Sequence, residues 1–480
     1  MATRSIIKSI QDIMRKDVGV DGDAQRIAQL GWMIFLKLFD ASDQELEFMK
    51  PEYVSPIPEH LQWRNWAADD EGITGDELIT FIEDDLFPTL RELETGDDRR
   101  ALIVRSVFDD TYNYMKSGTL LRQVINKLDE INFTSQEERH VFNDVYENIL
   151  QDLQSAGNAA EYYTPRAVTR FMTEMVDPEL GETVLDPACG TGGFLSDVVQ
   201  HLERKGVTNV QELDQLQETI RGTEKKPLPH SLALTNLILH GIEAPAIRRA
   251  NSLATPLRSY SKSDRVDVIL TNPPFGGTEE DGIKVNFPKQ YQTSETADLF
   301  LALVFRRLKN EGGRAAIVLP DGFLFGEGVK TRLKETLLDD FNLHTIVRLP
   351  KGVFAPYTDI NTNLLFFDAD GPTDTVWYYE HPLPEGYKQY TKTKPIRFSE
   401  FETEMEWWET REETAQAWEV SRETIIERDY NLDIDNPNDS EDNLEDPDVL
   451  LRRYEKLRDE ADELRAELKA ELGHALARSL

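Results

Sequence analysis

The chain has 480 residues, with 89 Asp and Glu against 53 Lys and Arg and a formal net charge of −36. That length allows about two or three domains with proper cores, while the acidity argues against a protein that grips nucleic acid unaided, because phosphate contacts need clustered Lys and Arg. One cysteine, Cys189, excludes an intrachain disulfide, and eight scattered histidines without metal-ligand spacing, together with the lack of a Gly-Lys-Ser/Thr phosphate loop, support neither a metal nuclease nor an ATPase.

Residues 1–155 read as a helical domain. Ile6, Ile10, Ile13 and Met14 form one apolar stripe, Leu120, Leu121, Val124, Ile125 and Leu128 a second, and Val141, Val145, Ile149 and Leu153 a third, with Thr134 and Glu137 as a capping box before the last. The N-terminus lacks the order of a signal peptide, and its longest apolar run, Leu30 to Phe39, is broken by Lys37. A cytoplasmic protein without a membrane span is expected.

Residues 156–431 read as one domain in which strand and helix alternate from about residue 160 to 370, which predicts an α/β domain with a Rossmann-like, doubly wound sheet. Thr164 is expected to cap a helix that begins at Pro165, presenting free N–H groups to a carboxylate, although an ordinary capped helix reads the same way. Glu182 to Asp186 reads as a strand running into Pro187-Ala188-Cys189-Gly190-Thr191-Gly192-Gly193, after which a helical pattern begins. Such glycines admit positive φ and close approach of a ligand. Asp186 stands where a carboxylate would repel a pyrophosphate but pair with a cationic or amine-bearing ligand, so a cofactor without phosphates is favoured.

Glu224 ends the expected next strand, where an acid can accept both ribose hydroxyls, or can be a solvated loop acid. It lies further along than the roughly 20 residues usual in dinucleotide folds. The charged stretch Lys205 to Gln217 accounts for the excess as an insertion.

Val266 to Thr271 reads as a buried parallel strand that delivers Asn272-Pro273-Pro274-Phe275 to the sheet's carboxyl edge, where open α/β sheets bind ligands. An exocyclic amine on a base is a poor nucleophile because its lone pair is delocalised. The Asn272 oxygen and a proline carbonyl can each accept one N–H and draw that nitrogen toward tetrahedral geometry, with Phe275 stacked on the ring. Taken alone, the tetrapeptide also suits a plain turn.

Next come a loop with Gly276, Gly277 and Gly282, able to cover a base or simply flexible, a helix from Asp298 to Leu308, and strands over Ala315 to Leu319, His344 to Leu349 and Leu364 to Phe367. Residues 432–448 hold eight acids, two prolines and no basic residue, the mark of a linker. Over residues 449–480, Leu450, Tyr454, Leu457, Ala461, Leu464 and Leu468 form a coiled-coil seam suited to docking on another subunit. The basic pairs Arg248-Arg249 and Arg306-Arg307 are read as solvated helix faces rather than DNA contacts.

The aspartate-led glycine loop, the later acid and Asn-Pro-Pro-Phe, in this order, resemble S-adenosylmethionine-dependent methyltransferases of adenine N6 in DNA. The likeness is closest to the modification subunit of type I restriction-modification systems and extends over most of the chain. Glu161-Tyr162-Tyr163-Thr164-Pro165-Arg166 is similar to the family's first cofactor motif. The resemblance implies that these six residues, with Asp186, Gly190, Thr191, Gly192, Gly193 and Glu224, hold S-adenosylmethionine, while Asn272, Pro273, Pro274 and Phe275 serve an adenine flipped from duplex DNA.

Asn251 departs from the family, which often has an acid there reading the cofactor's adenine amine, yet its oxygen can still accept. Tyr430-Asn431-Leu432 also resembles the family and suggests no chemistry. Cys189, lying in the cofactor loop, argues against C5-cytosine methylation. No basic, aromatic-rich recognition segment is present, so the resemblance implies a separate specificity subunit, two modification subunits for each of these, and a restriction subunit that can join. The rival readings are an amino-methyltransferase of RNA or protein glutamine, and a cofactor-binding scaffold.

Overall fold

The protein is described from a computed structural model over residues 2–133, 142, 146, 163–207, 209–280, 282–356, 358, 360–438, 451, 458 and 465. The third helical stripe, its capping box, Glu161, Tyr162 and the C-terminal seam lie outside the described residues.

Nine strands form one sheet in the order β3-β2-β1-β4-β5-β7-β6-β8-β9, with β1 Val184–Asp186, β2 Ile220–Glu224, β3 Ala246–Arg249, β4 Val268–Thr271, β5 Arg314–Pro320, β6 Asn342–Leu349, β7 Thr362–Asp368, β8 Thr375–Glu380 and β9 Ala417–Ser421. Strands β1 to β5 pair in parallel, and β7 runs antiparallel between β5 and β6. From β1 the chain winds outward through β2 and β3, then returns to β4 and β5 on the other side. The switch between β1 and β4 opens a crevice at the carboxyl ends of these strands.

The central strands are buried on both faces, and side chains alternate between two cores. Ala316 and Val318 of β5 join the core that continues into the N-terminal helices, whereas Ala315, Ile317 and Leu319 join the opposite one.

The sheet extends beyond the expected limit near residue 370, since β8 and β9 add an outer pair. The edge strand β3 was also unexpected. It carries Arg248 and Arg249, which are therefore on a strand rather than a helix, and Arg249 pairs with Asp109 and Asp110. The charged insertion is a helix, Val210–Thr219, closed at its start by a reciprocal capping box of Asn209 and Glu212.

The N-terminal helices pack directly on the sheet domain. Helix Asp23–Met49 lies against Pro227–Leu239, the crossover between β2 and β3. Buried Arg100, paired with Asp43 at 2.6 Å within the N-terminal helices, donates to the carbonyl of Glu243 and so joins the two regions. At the other end of the chain, Leu432 is fully buried, and Arg348 holds Asp433 at 2.7 Å and the Ile434 carbonyl at 3.1 Å. The first residues of the acidic stretch are thus anchored on the sheet domain.

Candidate active site

Parallel pairing brings Asp186, Glu224, Arg249 and Thr271 to one edge, because each ends its strand there. Asp186 and Glu224 border a solvent-open cleft with about 1010 Å³ of empty space. Thr164, Asp186, Gly190, Thr191, Gly193, Glu224, Asn251, Asn272 and Pro274 all line it. The structure therefore unites, in one cavity, residues as far apart in sequence as Thr164 and Pro274.

The glycine loop takes its shape from backbone that only glycine adopts readily. Gly190 and Gly192 have φ of 53° and 80°. The Gly192 N–H closes the turn on the Cys189 carbonyl at 2.7 Å, and helix Gly193–Gly206 starts immediately afterwards. Buried Asn236, from the neighbouring helix, donates to the Thr191 carbonyl at 3.0 Å and holds the loop from outside. Nothing in the local sequence marks Asn236 for this task.

Two buried acids flank the loop. Glu224 accepts from the Gly190 N–H at 3.0 Å and the Lys226 N–H at 2.7 Å, which fixes the carboxylate at the end of β2. Asp186 accepts from the Ala188 N–H at 3.0 Å and the Thr271 hydroxyl at 2.8 Å. Burial, reinforced by nearby Glu224, pushes the Asp186 carboxyl up to about 7 despite those two donors. An arriving cation would favour its ionised form. Burial and the same two acids push the Cys189 thiol upward, which keeps it protonated and unreactive.

Asn272 follows Thr271 directly, so the Thr271 hydroxyl ties the cofactor-side acid to the strand that delivers the tetrapeptide. The Asn272 amide nitrogen donates to the Thr164 hydroxyl at 2.9 Å. Its oxygen is buried and has no hydrogen-bond partner among the described residues. An orphaned acceptor of this kind is unfavourable in the free protein and suits an N–H donor brought by a ligand.

Thr164 is not the expected N-cap. The helix runs Arg166–Val176, Pro165 occupies the cap position, and no side chain caps it. The Thr164 hydroxyl has been drawn instead to Asn272, a tertiary contact that outweighs the local preference. Arg166 reaches the Gly193 carbonyl at 2.6 Å and Ser196 at 2.7 Å, joining its helix to the glycine-loop helix outside the cavity lining. Tyr163 is buried beside this segment.

Pro273 is buried and Phe275 sits edge-on to Phe354, with ring centroids 6.0 Å apart. Neither lines the cleft that holds Asn272 and Pro274. Beyond the tetrapeptide, Gly276 has φ of 63° and Thr296 binds the Gly277 carbonyl at 2.8 Å, so the loop folds back and adds Glu279 to the cavity wall. Sequence reading missed Glu279, Lys225 and Ser252. Lys225 adjoins Glu224 and was within reach of inspection, whereas Glu279 gains meaning only once its loop reverses.

Comparison with known proteins matches this architecture. Residues 137–446 match the N-6 DNA Methylase family, and residues 3–128 match the HsdM N-terminal domain. The Type I restriction enzyme EcoEI methylase subunit of Escherichia coli is 57% identical, with 99% of each chain covered. A crystal structure assigned to a type I restriction enzyme modification subunit of Vibrio vulnificus YJ016 is 48% identical, with a TM-score of 0.84 over 93% of this chain and 99% of that one. A chain from a study of assembly and conformational transition in the type I R-M system is 38% identical, with a TM-score of 0.82 and 98% of both chains covered. A family profile over most of the sheet domain and a relative matched from end to end lead to one assignment: the chain belongs to the N-6 DNA methylase family, among the type I restriction enzyme methylase subunits.

Proposed function

We propose that this chain methylates adenine N6 in DNA as a type I modification subunit, with Asn272 as the residue that receives the target amine. The carrying observation is the buried Asn272 oxygen, unpartnered among the described residues, on a side chain that lines the same cavity as Asp186 and Glu224. The residues present fit S-adenosylmethionine: a glycine cradle, an acid at the end of β2 whose carboxylate is an acceptor for sugar hydroxyls, and a second acid that an adjacent cation would ionise. When bound, that cofactor supplies an electrophilic methyl group.

The residues proposed to hold it are Asp186, Gly190, Thr191, Gly192, Gly193, Glu224 and Asn251, with the segment Glu161 to Arg166. Asn272, through its oxygen, and Pro273, through its carbonyl, would accept the two amine hydrogens. Pro274 and Phe275 would border the flipped base. Fixing the nitrogen in this way localises its lone pair, and positioning with two preformed acceptors supplies most of the rate. A general base is not needed before attack, since the proton leaves only after the amine becomes cationic.

Sequence recognition and most of the DNA affinity are proposed to come from a specificity subunit bound by two copies of this chain, with a restriction subunit able to join. The net charge of −36 supports delegation of DNA binding, as does similarity to a chain from a type I assembly. Among the described residues, no helix is long and apolar enough to cross a membrane. A DNA substrate places the work in the cytoplasm.

The test compares cells carrying the native chain with cells carrying Asn272→Ala by modification-sensitive sequencing, alongside S-adenosylhomocysteine binding by the purified proteins. The variant is expected to lose N6-methyladenine at a split recognition sequence, a fall of at least about 10³-fold in turnover, while binding the cofactor product normally. Wild-type turnover by Asn272→Ala would overturn the assignment.

A further inference from the structure

Glu279 lies in the loop that follows the catalytic tetrapeptide, outside every strand and helix. Its backbone N–H donates to the Ser294 carbonyl at 3.2 Å, and the preceding Thr278 bridges to Glu295. These contacts turn the loop back across the cleft and leave the Glu279 side chain only 12% exposed. Lys225 donates to both Glu279 oxygens, at 3.3 and 3.4 Å, and the Asn251 amide donates to one of them at 3.2 Å.

Lys225 stands one residue beyond the end of β2 and Asn251 two residues beyond the end of β3. We propose that Glu279 selects the base of the cofactor by accepting its exocyclic amine, an inference that rests on the cofactor reading above. If Glu224 takes the sugar hydroxyls, the attached base falls among the next groups along the cavity: Lys225, Asn251, Ser252 and Glu279.

Two of those side chains are already engaged as acceptor or donor. The Asn251 oxygen accepts from the Leu253 N–H at 2.9 Å, which turns its amide nitrogen toward Glu279, and the Ser252 hydroxyl donates to the Pro187 carbonyl at 2.6 Å. Glu279 is an acceptor-only group with about four lone-pair sites, more than its neighbours use. A 6-amino purine offers such a group an N–H donor. A 6-oxo purine presents an acceptor to it, and the two repel. Asn251 and Lys225 thus hold the carboxylate in position from two strand ends, and the loop carrying it is continuous with Asn272.

The experiment is calorimetric titration of the full chain with S-adenosylhomocysteine and with S-inosylhomocysteine, in which oxygen replaces the amine. The native chain is expected to prefer the amine form by about tenfold or more. Glu279→Ala is expected to bind S-adenosylhomocysteine about tenfold more weakly and to lose the preference, while Glu279→Gln, which retains one acceptor, keeps part of it. Equal weakening of both ligands by Glu279→Ala would identify a loop latch and overturn the proposal, as would an unchanged preference. A native chain that binds neither ligand would instead overturn the cofactor reading beneath it.

Discussion

The amide of Asn272 has a donor face and an acceptor face, and the free protein uses only the donor. Thr164 takes the amide nitrogen at 2.9 Å, which leaves the buried oxygen without a partner among the described residues. Removing that hydroxyl should let the amide rotate, so Thr164→Val is expected to lower the single-turnover methylation rate roughly 10- to 100-fold while shifting S-adenosylhomocysteine affinity less than about threefold. Thr164→Ser should restore the rate. An equal loss of affinity and rate would mean that Thr164 acts through the cofactor segment alone and does not hold Asn272 for the reaction. The sequence showed both residues as candidates but could not link them, because 108 positions separate the pair. Thr164 before Pro165 satisfied the local rule for a helix cap, and only the approach of β4 revealed the stronger claim on its hydroxyl.

At the scale of elements, the cofactor side depends on how tightly β2 sits under helix Gly193–Gly206. A Cβ at Gly222 would meet Ile247 Cδ1 at 2.6 Å, Leu195 Cδ1 at 2.9 Å and Cys189 Sγ at 3.1 Å. Gly222→Ala is therefore expected to destabilise the chain by about 1–3 kcal/mol in urea unfolding and to weaken S-adenosylhomocysteine binding by displacing Glu224. Unchanged stability would mean that those three side chains repack freely. The central strands were legible because they are buried on both faces and read as apolar runs. Edge strand β3, Ala-Ile-Arg-Arg, was not, since two arginines interrupt it and its identity comes from pairing with β2. The aromatic run of β8 carried a strand signal of its own; its place in the sheet depended on β6, to which it pairs in parallel.

Across the whole molecule, the net charge bears on the proposed division of labour. Several arginines of the basic pairs are engaged within the fold: Arg249 with Asp109 and Asp110, Arg306 with the Leu257 and Tyr260 carbonyls, and Arg307 with the Asp264 carbonyl at 2.8 Å. The isolated chain is thus expected to show no saturable binding to duplex DNA at about 0.15 M salt, whereas its complex with a specificity subunit should bind with a steep salt dependence. Tight, salt-sensitive binding by the chain alone, measured by fluorescence anisotropy, would count against recognition in trans. The sequence by itself determined the family likeness: the order of Asp186, the glycines, Glu224 and Asn272 carries that resemblance, because these residues lie at or just after strand ends marked by local composition. Tertiary structure alone decided which groups face one another. Thr164 meeting Asn272, Thr271 holding Asp186, Asn236 bracing the glycine loop and Glu279 returning to Asn251 all arise from parallel pairing and a reversed loop, and contacts between distant segments leave no periodic signal in either one.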